Sequence, residues 1–393
     1  MIALTYWFQG DHVQAAAAID DVAALGERVG DPFHVGRRWV VVGQIAQSDG
    51  RLPHARDAYE RARAAVKAGG DPFIEALADA GTAFIDIWDG EPERALMRLE
   101  DRLERALKLG VGLAVPVLLL IMAWAELAAG RHRQACDRLE ALVPIIEGRE
   151  MFVTSWALRL LSEAQRLLAD GTAEATALRA QASADKLGNR LICAGALQTL
   201  GRLAAAGGEW TVARQHALAA LDACAEGGHA TSVPGCLDAL GEVAAGLGSD
   251  SDAVRLLAAA DRARADIGVV RFPPEEQHWA AIDRRLRDAL GDGAYDAARA
   301  QGTELSTEDA LEWARRARGP RTRPPGGWDS LTPTEARVVE LVAEGLTNPQ
   351  IGERMFISAG TVKTHVAHIF GKLELHSRTV LGAQAVERKK TAR

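Results

Sequence analysis

Seven glycines recur along this chain at nearly constant intervals. Gly10, Gly50, Gly90, Gly130, Gly171, Gly208 and Gly248 are separated by 40, 40, 40, 41, 37 and 40 residues. Each follows an apolar helical stretch and precedes an amphipathic one, as in "SDGRLPHAR", "WDGEPERAL" and "AAGRHRQAC". In six of the seven units an alanine stands five residues later, at Ala15, Ala55, Ala95, Ala135, Ala213 and Ala253. The fifth unit slips, with Ala175 four residues after Gly171. A glycine at a helix end takes a left-handed conformation that other residues reach only at a cost. An alanine one turn into the next helix marks a close approach of two helix backbones. The ruler therefore predicts antiparallel helical hairpins of about 40 residues, which cannot bury their apolar faces alone and must stack. The array runs over residues 1–265 as about seven units. Strand-period alternation is not sustained, so the expected fold class is all-α.

The third unit shows the amphipathic logic. Its first helix places Leu77, Phe84 and Trp88 at i, i+7 and i+11. Its second carries Ala95, Leu99, Leu103, Ala106 and Leu107 on one stripe, with Glu100, Arg102 and Glu104 expected to face water. Carboxylates are expected on solvated helix faces, paired with arginines at i+3 or i+4. The most apolar run, "VGLAVPVLLLIMAWA" at 111–125, is too short to span a bilayer, contains Pro116 and precedes Glu126. It reads as a buried helix. The Gly-x4-Ala turn resembles the tetratricopeptide repeat, here with longer helices than the usual 34-residue unit. Only nine residues precede Gly10, so the array is expected to begin mid-unit.

Charge is distributed unevenly. The 393 residues carry a net charge of −7, but from Arg315 onward 14 basic residues face 7 acidic ones, leaving 32 against 46 in the remainder. A basic tail on an acidic body suits a polyanion-binding module joined to something that does not bind polyanions. Cys136, Cys193, Cys224 and Cys236 lack CxxC spacing and fall in apolar helical pattern, so buried thiols are expected rather than a zinc site or disulfides. A charged-then-apolar leader is not apparent, which points to a cytoplasmic, nucleoid-associated chain with no membrane partner. After the array, residues 266–318 form a helical extension in which Ser306 and Asp309 approximate a capping box. "GPRTRPPGG" at 319–327 is a Pro/Gly/Arg linker, the sharpest boundary in the chain.

Residues 328–393 follow a different grammar. "LTPTEARVVELVAEGL" opens with a capping box of Thr332, Pro333 and Glu335, buries Val338, Leu341 and Val342, and stops at Gly345. Thr347 or Asn348, ahead of Pro349, starts a second helix with Ile351 and Met355 inward. "FIS" is the turn, and Ser358 caps a third helix whose buried stripe is Val362, Val366, Ile369, Phe370 and Leu373. A fourth helix begins near Ser377 or Arg378 and carries Val380, Leu381 and Ala385. The third helix turns Gly360, Lys363, Thr364, Ala367, Gly371 and Lys372 outward, small or cationic side chains with no acid among them. Such a face suits a DNA major groove, where small residues permit close approach and lysine reaches base edges or phosphate.

The stretch "LTPTEARVVELVAEGLTNPQIGERMFISAGTVKTHVAHIFGKLELHSR" resembles the LuxR-type (GerE-like) helix-turn-helix domain, with the motif itself at 347–366. The resemblance implies that Lys363 and Thr364 touch base edges. It makes Thr347, Asn348, Ser358, Thr361, Lys372 and Arg378 candidates for backbone phosphates, and assigns the fourth helix to dimerisation on a palindromic site. Ala367, Pro349 and Gly360 stand where that pattern more often has polar or cationic residues, which would trim phosphate contacts. Dimeric binding, or the arginines between Arg315 and Arg323, would offset the loss. His365 belongs to the TVKTH element, which argues against a metal pair with His368. The whole chain resembles the carboxy-terminal part of larger regulators that join an ATPase module, a helical-repeat sensor region and a LuxR-type domain. It contains no GxxxxGK[ST], so that resemblance implies a chain without the nucleotide-binding module.

Catalytic arrangements, cofactor motifs and metal-ligand spacings are not apparent, and the chain is not read as an enzyme. The expected architecture is a helical-hairpin solenoid followed by a four-helix helix-turn-helix domain. The expected function is sequence-specific transcriptional regulation: double-stranded DNA is the partner, a homodimer forms on it, and a protein or small-molecule effector meets the repeats. The alternatives are a protein-interaction scaffold and a remnant of a longer ATP-dependent regulator.

Overall fold

The computed structural model describes residues 32–67, 71–112, 114–148, 151–316, 328, 333–355, 359–373, 375 and 377–391. The hairpin expected at Gly10, the Thr332 cap, the 319–327 linker, the "FIS" turn and the Ser358 cap lie outside these residues. Two compact units result, Met1–Gly319 and Pro320–Arg393. Every element among the described residues is helical, in keeping with the all-α expectation.

Among the described residues of the first unit, six hairpins succeed one another. They are α1 (Pro32–Ser48) with α2 (Leu52–Val66), α3 (Pro72–Trp88) with α4 (Pro92–Lys108), and α5 (Val115–Ala128) with α6 (His132–Ile146). Next come α7 (Met151–Leu167) with α8 (Ala173–Leu187), α9 (Arg190–Ala206) with α10 (Trp210–Gly227), and α11 (Val233–Gly246) with α12 (Asp250–Ile267). The first helices of successive hairpins touch each other, so α1, α3, α5, α7, α9 and α11 form a continuous layer. The second helices pack behind it. The apolar run at 111–125 contributes the buried helix α5, and no helix among the described residues is long and apolar enough to cross a membrane.

The glycine ruler has a structural cause. Gly50, Gly90, Gly130, Gly208 and Gly248 have φ of +76° to +82°. In each case the next residue's amide donates to the carbonyl five residues back at 2.8 Å, closing a Schellman turn. Ala55, Ala95, Ala135, Ala213 and Ala253 are fully buried in the second helices. The fifth unit departs from this plan. Its left-handed residue is Ala169, with φ of 55°, and Gly171 is not left-handed. The two residues between Ala169 and the Thr172 cap rotate the following helix, so Thr176 is buried where Ala175 was expected, and Ala175 is exposed. A second glycine series escaped notice in the sequence. Gly110, Gly148, Gly188, Gly228 and Gly268 end the second helices with the same left-handed backbone, half a unit out of phase.

Two expectations for the third unit are corrected. Arg102 does not face water: it is 7% exposed, and its guanidinium bonds Asp79 and Glu75, both at 2.6 Å. Asp86 is fully buried and takes Arg56 at 3.1 Å, Arg94 at 3.0 Å and Arg98 at 3.3 Å. These carboxylates therefore sit in the seams between helices rather than on solvated faces, because arginine stems lie along apolar surface and carry the charge across. Leu107 leaves the packed stripe and is 62% exposed beside Leu109 at the end of α4.

Tyr59 of α2 is, with Tyr295, one of the two largest fully buried side chains among the described residues, its hydroxyl donating to Gln47 Oε1 at 2.9 Å. Its ring lies between Gly43 of α1 and Gly81 of α3, and a Cβ at either glycine would fall inside the ring's van der Waals envelope. Gly81→Ala is expected to destabilise the chain by about 1–3 kcal/mol through overpacking. Chemical denaturation measures this, and a variant with an unchanged midpoint would refute the fit described.

The array curves until its last hairpin meets the first described one. Ile267, at the end of α12, lies against Gly50. After Gly268 the chain runs extended, packs Val269 into the core of the first hairpin, and donates the Val270 amide to the Trp88 carbonyl at 2.9 Å. This strap leads into α13 (Pro273–Leu290), α14 (Asp292–Glu304) and α15 (Thr307–Arg316), with α14 and α15 packed on α12. Ser306 caps α15 by accepting the Asp309 amide at 3.1 Å, and its own hydroxyl donates to the Asp309 carboxylate at 2.6 Å.

Candidate nucleic-acid interface

The second unit holds α16 (Pro333–Ala343), α17 (Asn348–Met355), α18 (Ala359–Leu373) and α19 (Arg378–Thr391). Its core is built from Val338, Leu341 and Val342 of α16, Ile351 of α17, Val362, Val366 and Ile369 of α18, and Leu381 of α19. Phe370, Leu373, Met355 and Ala385 pack at its edge. Gly345, with φ of +82°, ends α16 as its place after the apolar run requires. Val380 points away from this core and is 43% exposed.

Caps fix the entry to α17 and α19. Thr347 is the cap of α17, and its amide and hydroxyl both donate to Gln350 Oε1, at 2.8 and 2.9 Å. This is the reciprocal half of a capping box, and Gln350 was missed although the Thr-x-x-Gln spacing announces it. Ser377 precedes α19 and receives the Leu381 amide on its carbonyl at 3.0 Å.

With the apolar stripe docked, the outward face of α18 is settled. Lys363, Thr364 and Ala367 are exposed, as are Gly360 and Gly371, and α18 contains no acidic residue. The Thr364 hydroxyl donates to the Gly360 carbonyl at 3.2 Å, which turns its methyl outward along the helix. Thr361 lies in the first turn of α18, and its side chain is outside the described residues, as is all of Ser358.

The remaining expected phosphate ligands have partners inside the domain. Lys372 is only partly exposed, and its ammonium lies 2.7 Å from a carboxylate oxygen of Glu335, itself 3% exposed. That pair ties the end of α18 to the start of α16. Arg378 donates to Asn348 Oδ1 at 2.9 Å and to the Leu346 carbonyl at 2.5 Å, joining α19 to the loop before α17. Asn348 and Arg378 are thus brought together, and both brace α17 against α19. Arg337 pairs with Glu340 and Arg354 with Glu344, while Arg388 lies over the Trp328 ring. Among the cations of this unit whose side chains are described, Lys363 is the one that enters no ion pair, side-chain hydrogen bond or ring contact. His365 is part of no metal-binding group among the described residues.

Comparison with known proteins places this unit among familiar ones. Residues 329–384 match the family described as bacterial regulatory proteins, luxR family. Over 396 aligned residues the chain is 34% identical to the protein named "Putative HTH-type transcriptional regulator Mb0914c" of Mycobacterium bovis, and equally to Rv0890c of Mycobacterium tuberculosis. Those alignments cover 98% of this chain and 44% of each relative, so the chain spans less than half the length of these proteins. It is also 49% identical over 51 residues to the transcriptional regulatory protein LiaR of Bacillus subtilis, 13% of this chain and 24% of LiaR.

Proposed function

We propose, from the match of residues 329–384 to the luxR family of bacterial regulatory proteins, that the chain is a sequence-specific, DNA-binding transcriptional regulator without a catalytic role. The observation that carries the reading is Lys363: an exposed cation, without an internal partner among the described residues, on a helix face that has no acid and little bulk. In the proposed complex α18 enters the major groove, with Lys363 and Thr364 at base edges. Thr361, Ser358 and the α18 amino terminus hold phosphates. Lys372 and Arg378 act first by holding the helices in register, and their phosphate contacts are secondary. Exposed Val380 supports α19 as the face on which two domains pair over a palindromic site in the nucleoid of the cytoplasm. The hairpin array, with the domain limits 1–265, 266–318, 319–327 and 328–393, is the region that receives a signal. The transcriptional names of the relatives agree with this assignment.

Footprinting and gel-shift titration on the DNA upstream of its own and neighbouring genes test the proposal. Saturable, sequence-dependent protection is expected, weakened about 10- to 100-fold by Lys363→Ala, the loss of one base contact of about 1–3 kcal/mol. Binding that ignores sequence, or that keeps its affinity in the variant, would contradict it.

A further inference from the structure

The first unit holds a partly open cavity of about 260 Å³ on the inner side of its first helices. One wall is aromatic. Phe84 and Trp88 of α3, Trp124 of α5 and Trp156 of α7 meet there, with Phe272 of the strap beside them. Ring centroids lie 4.7 Å apart for Phe84 and Trp124, 5.2 Å for Phe84 and Trp156, and 6.2 Å for Trp124 and Phe272. These rings come from three hairpins and the strap, and all remain half-buried, so each keeps surface to offer.

The opposite wall is charged, and its acids are already satisfied. Glu163 takes Arg166 at 2.7 Å and Arg202 at 3.0 Å, and Glu275 takes Arg202 at 2.8 Å. Asp238 takes Arg264 and Arg271. Arg159 is the exception. It enters no ion pair among the described residues, and its guanidinium lies across Gly195 of α9, where any side chain would collide with it. Burial pulls this guanidinium below its ordinary range, partly opposed by Glu163 one turn on. The cationic residues of the cavity, Arg159, Arg202, Arg264 and Arg271, outnumber Glu163, Asp238 and Glu275 by one. His132 Nε2 and Arg271 Nε belong to the same walls and have no hydrogen-bond partner among the described residues.

From this arrangement we infer that the array binds a small aromatic carboxylate, its ring against Phe84, Trp124 and Trp156 and its carboxylate on the Arg159 guanidinium. One planar fork offers two parallel N–H donors, which match a carboxylate, while a phosphate dianion would demand further cations. Half-buried rings in tilted and edge-on arrangements accept another ring by the same packing. An apolar cavity of about 150 Å³ already holds benzene, so this one has room for a fused ring and its carboxylate. The inference rests on the reading of the array as the signal-receiving region, and it names the chemistry of the signal.

Calorimetric titration of the full chain without DNA tests it, so failure here leaves the DNA-binding reading untouched and the reverse also holds. The probes are 1-naphthoate, the neutral 1-naphthalenemethanol and the ring-free cyclohexanecarboxylate. Saturable one-site binding of 1-naphthoate is expected, with the other two at least about tenfold weaker. Arg159→Met should lower 1-naphthoate to the affinity of the neutral probe and leave the neutral probe unchanged, which also reports that the cavity is folded. Trp124→Leu should weaken both naphthyl probes and spare cyclohexanecarboxylate. No saturable uptake of 1-naphthoate, or undiminished uptake by Arg159→Met, would overturn the inference.

Discussion

Lys363→Glu is expected to abolish sequence-selective DNA binding, lowering affinity for the footprinted site by 100-fold or more. The loss has two parts. The base contact itself is worth about 1–3 kcal/mol. A carboxylate on the same stem adds repulsion against closely spaced phosphates, and like charges juxtaposed at an interface cost several kcal/mol. The domain's other cations with described side chains, Lys372, Arg378, Arg337, Arg354 and Arg388, are each engaged within it. Because Lys363 is exposed, the substitution should shift the domain's stability by no more than about 0.5 kcal/mol. Fluorescence anisotropy on the footprinted duplex at fixed salt, paired with a thermal melt, checks both halves. A variant that binds like the parent would remove α18 from the groove.

The second large effect belongs to the array. Asp238 of α11 is 2% exposed and joins Arg264 of α12 to Arg271 of the strap, the latter at 2.8 Å. Asp238→Ala leaves those two guanidiniums sharing Asp261, at 3.3 and 3.1 Å, on a more exposed carboxylate. Removing one member of a buried charge cluster costs about 3–5 kcal/mol, because the remaining charge stays desolvated. Urea titration should show a lower midpoint with an unchanged slope, and hydrogen exchange should show faster loss of the Val270 amide. A cost below about 1 kcal/mol would mean that the strap is held by its apolar contacts alone.

How far the sequence could be read depended on the range of the interactions. Helix ends were legible because their causes are local. Gly50 and Gly345 need left-handed backbone, Thr347 and Ser377 cap, and alanines such as Ala55 mark close helix approach. The apolar stripe of α18 followed from its spacing, and with it the outward placement of Lys363 and Thr364. Contacts between distant segments were not legible. Composition gave no sign that Arg102 would lie buried between Glu75 and Asp79, since an arginine on a charged helix face usually points to water. Likewise nothing local to Lys372 and Arg378 announces that Glu335 and Asn348, 37 and 30 residues away, lie beside them. The same blindness hid Cys224 and Cys236, whose sulfurs lie 3.5 Å apart as buried free thiols. The slip at Gly171 was visible, but its register could not be counted without seeing that Ala169 makes the turn.

The strap alters the statistical mechanics of the repeats. An open array of hairpins is a one-dimensional chain of nearest-neighbour couplings, and it melts inward from whichever terminus is weaker. Here the Val270 amide meets the Trp88 carbonyl, and Ile267 rests on Gly50, so the last described hairpin is coupled to the first as well as to its neighbour. That link adds a coupling between hairpins far apart in sequence: fraying of either described partner breaks it. The hairpins should therefore unfold in one transition, and the strap, which closes a very long loop, should be among the last pieces to dock during folding.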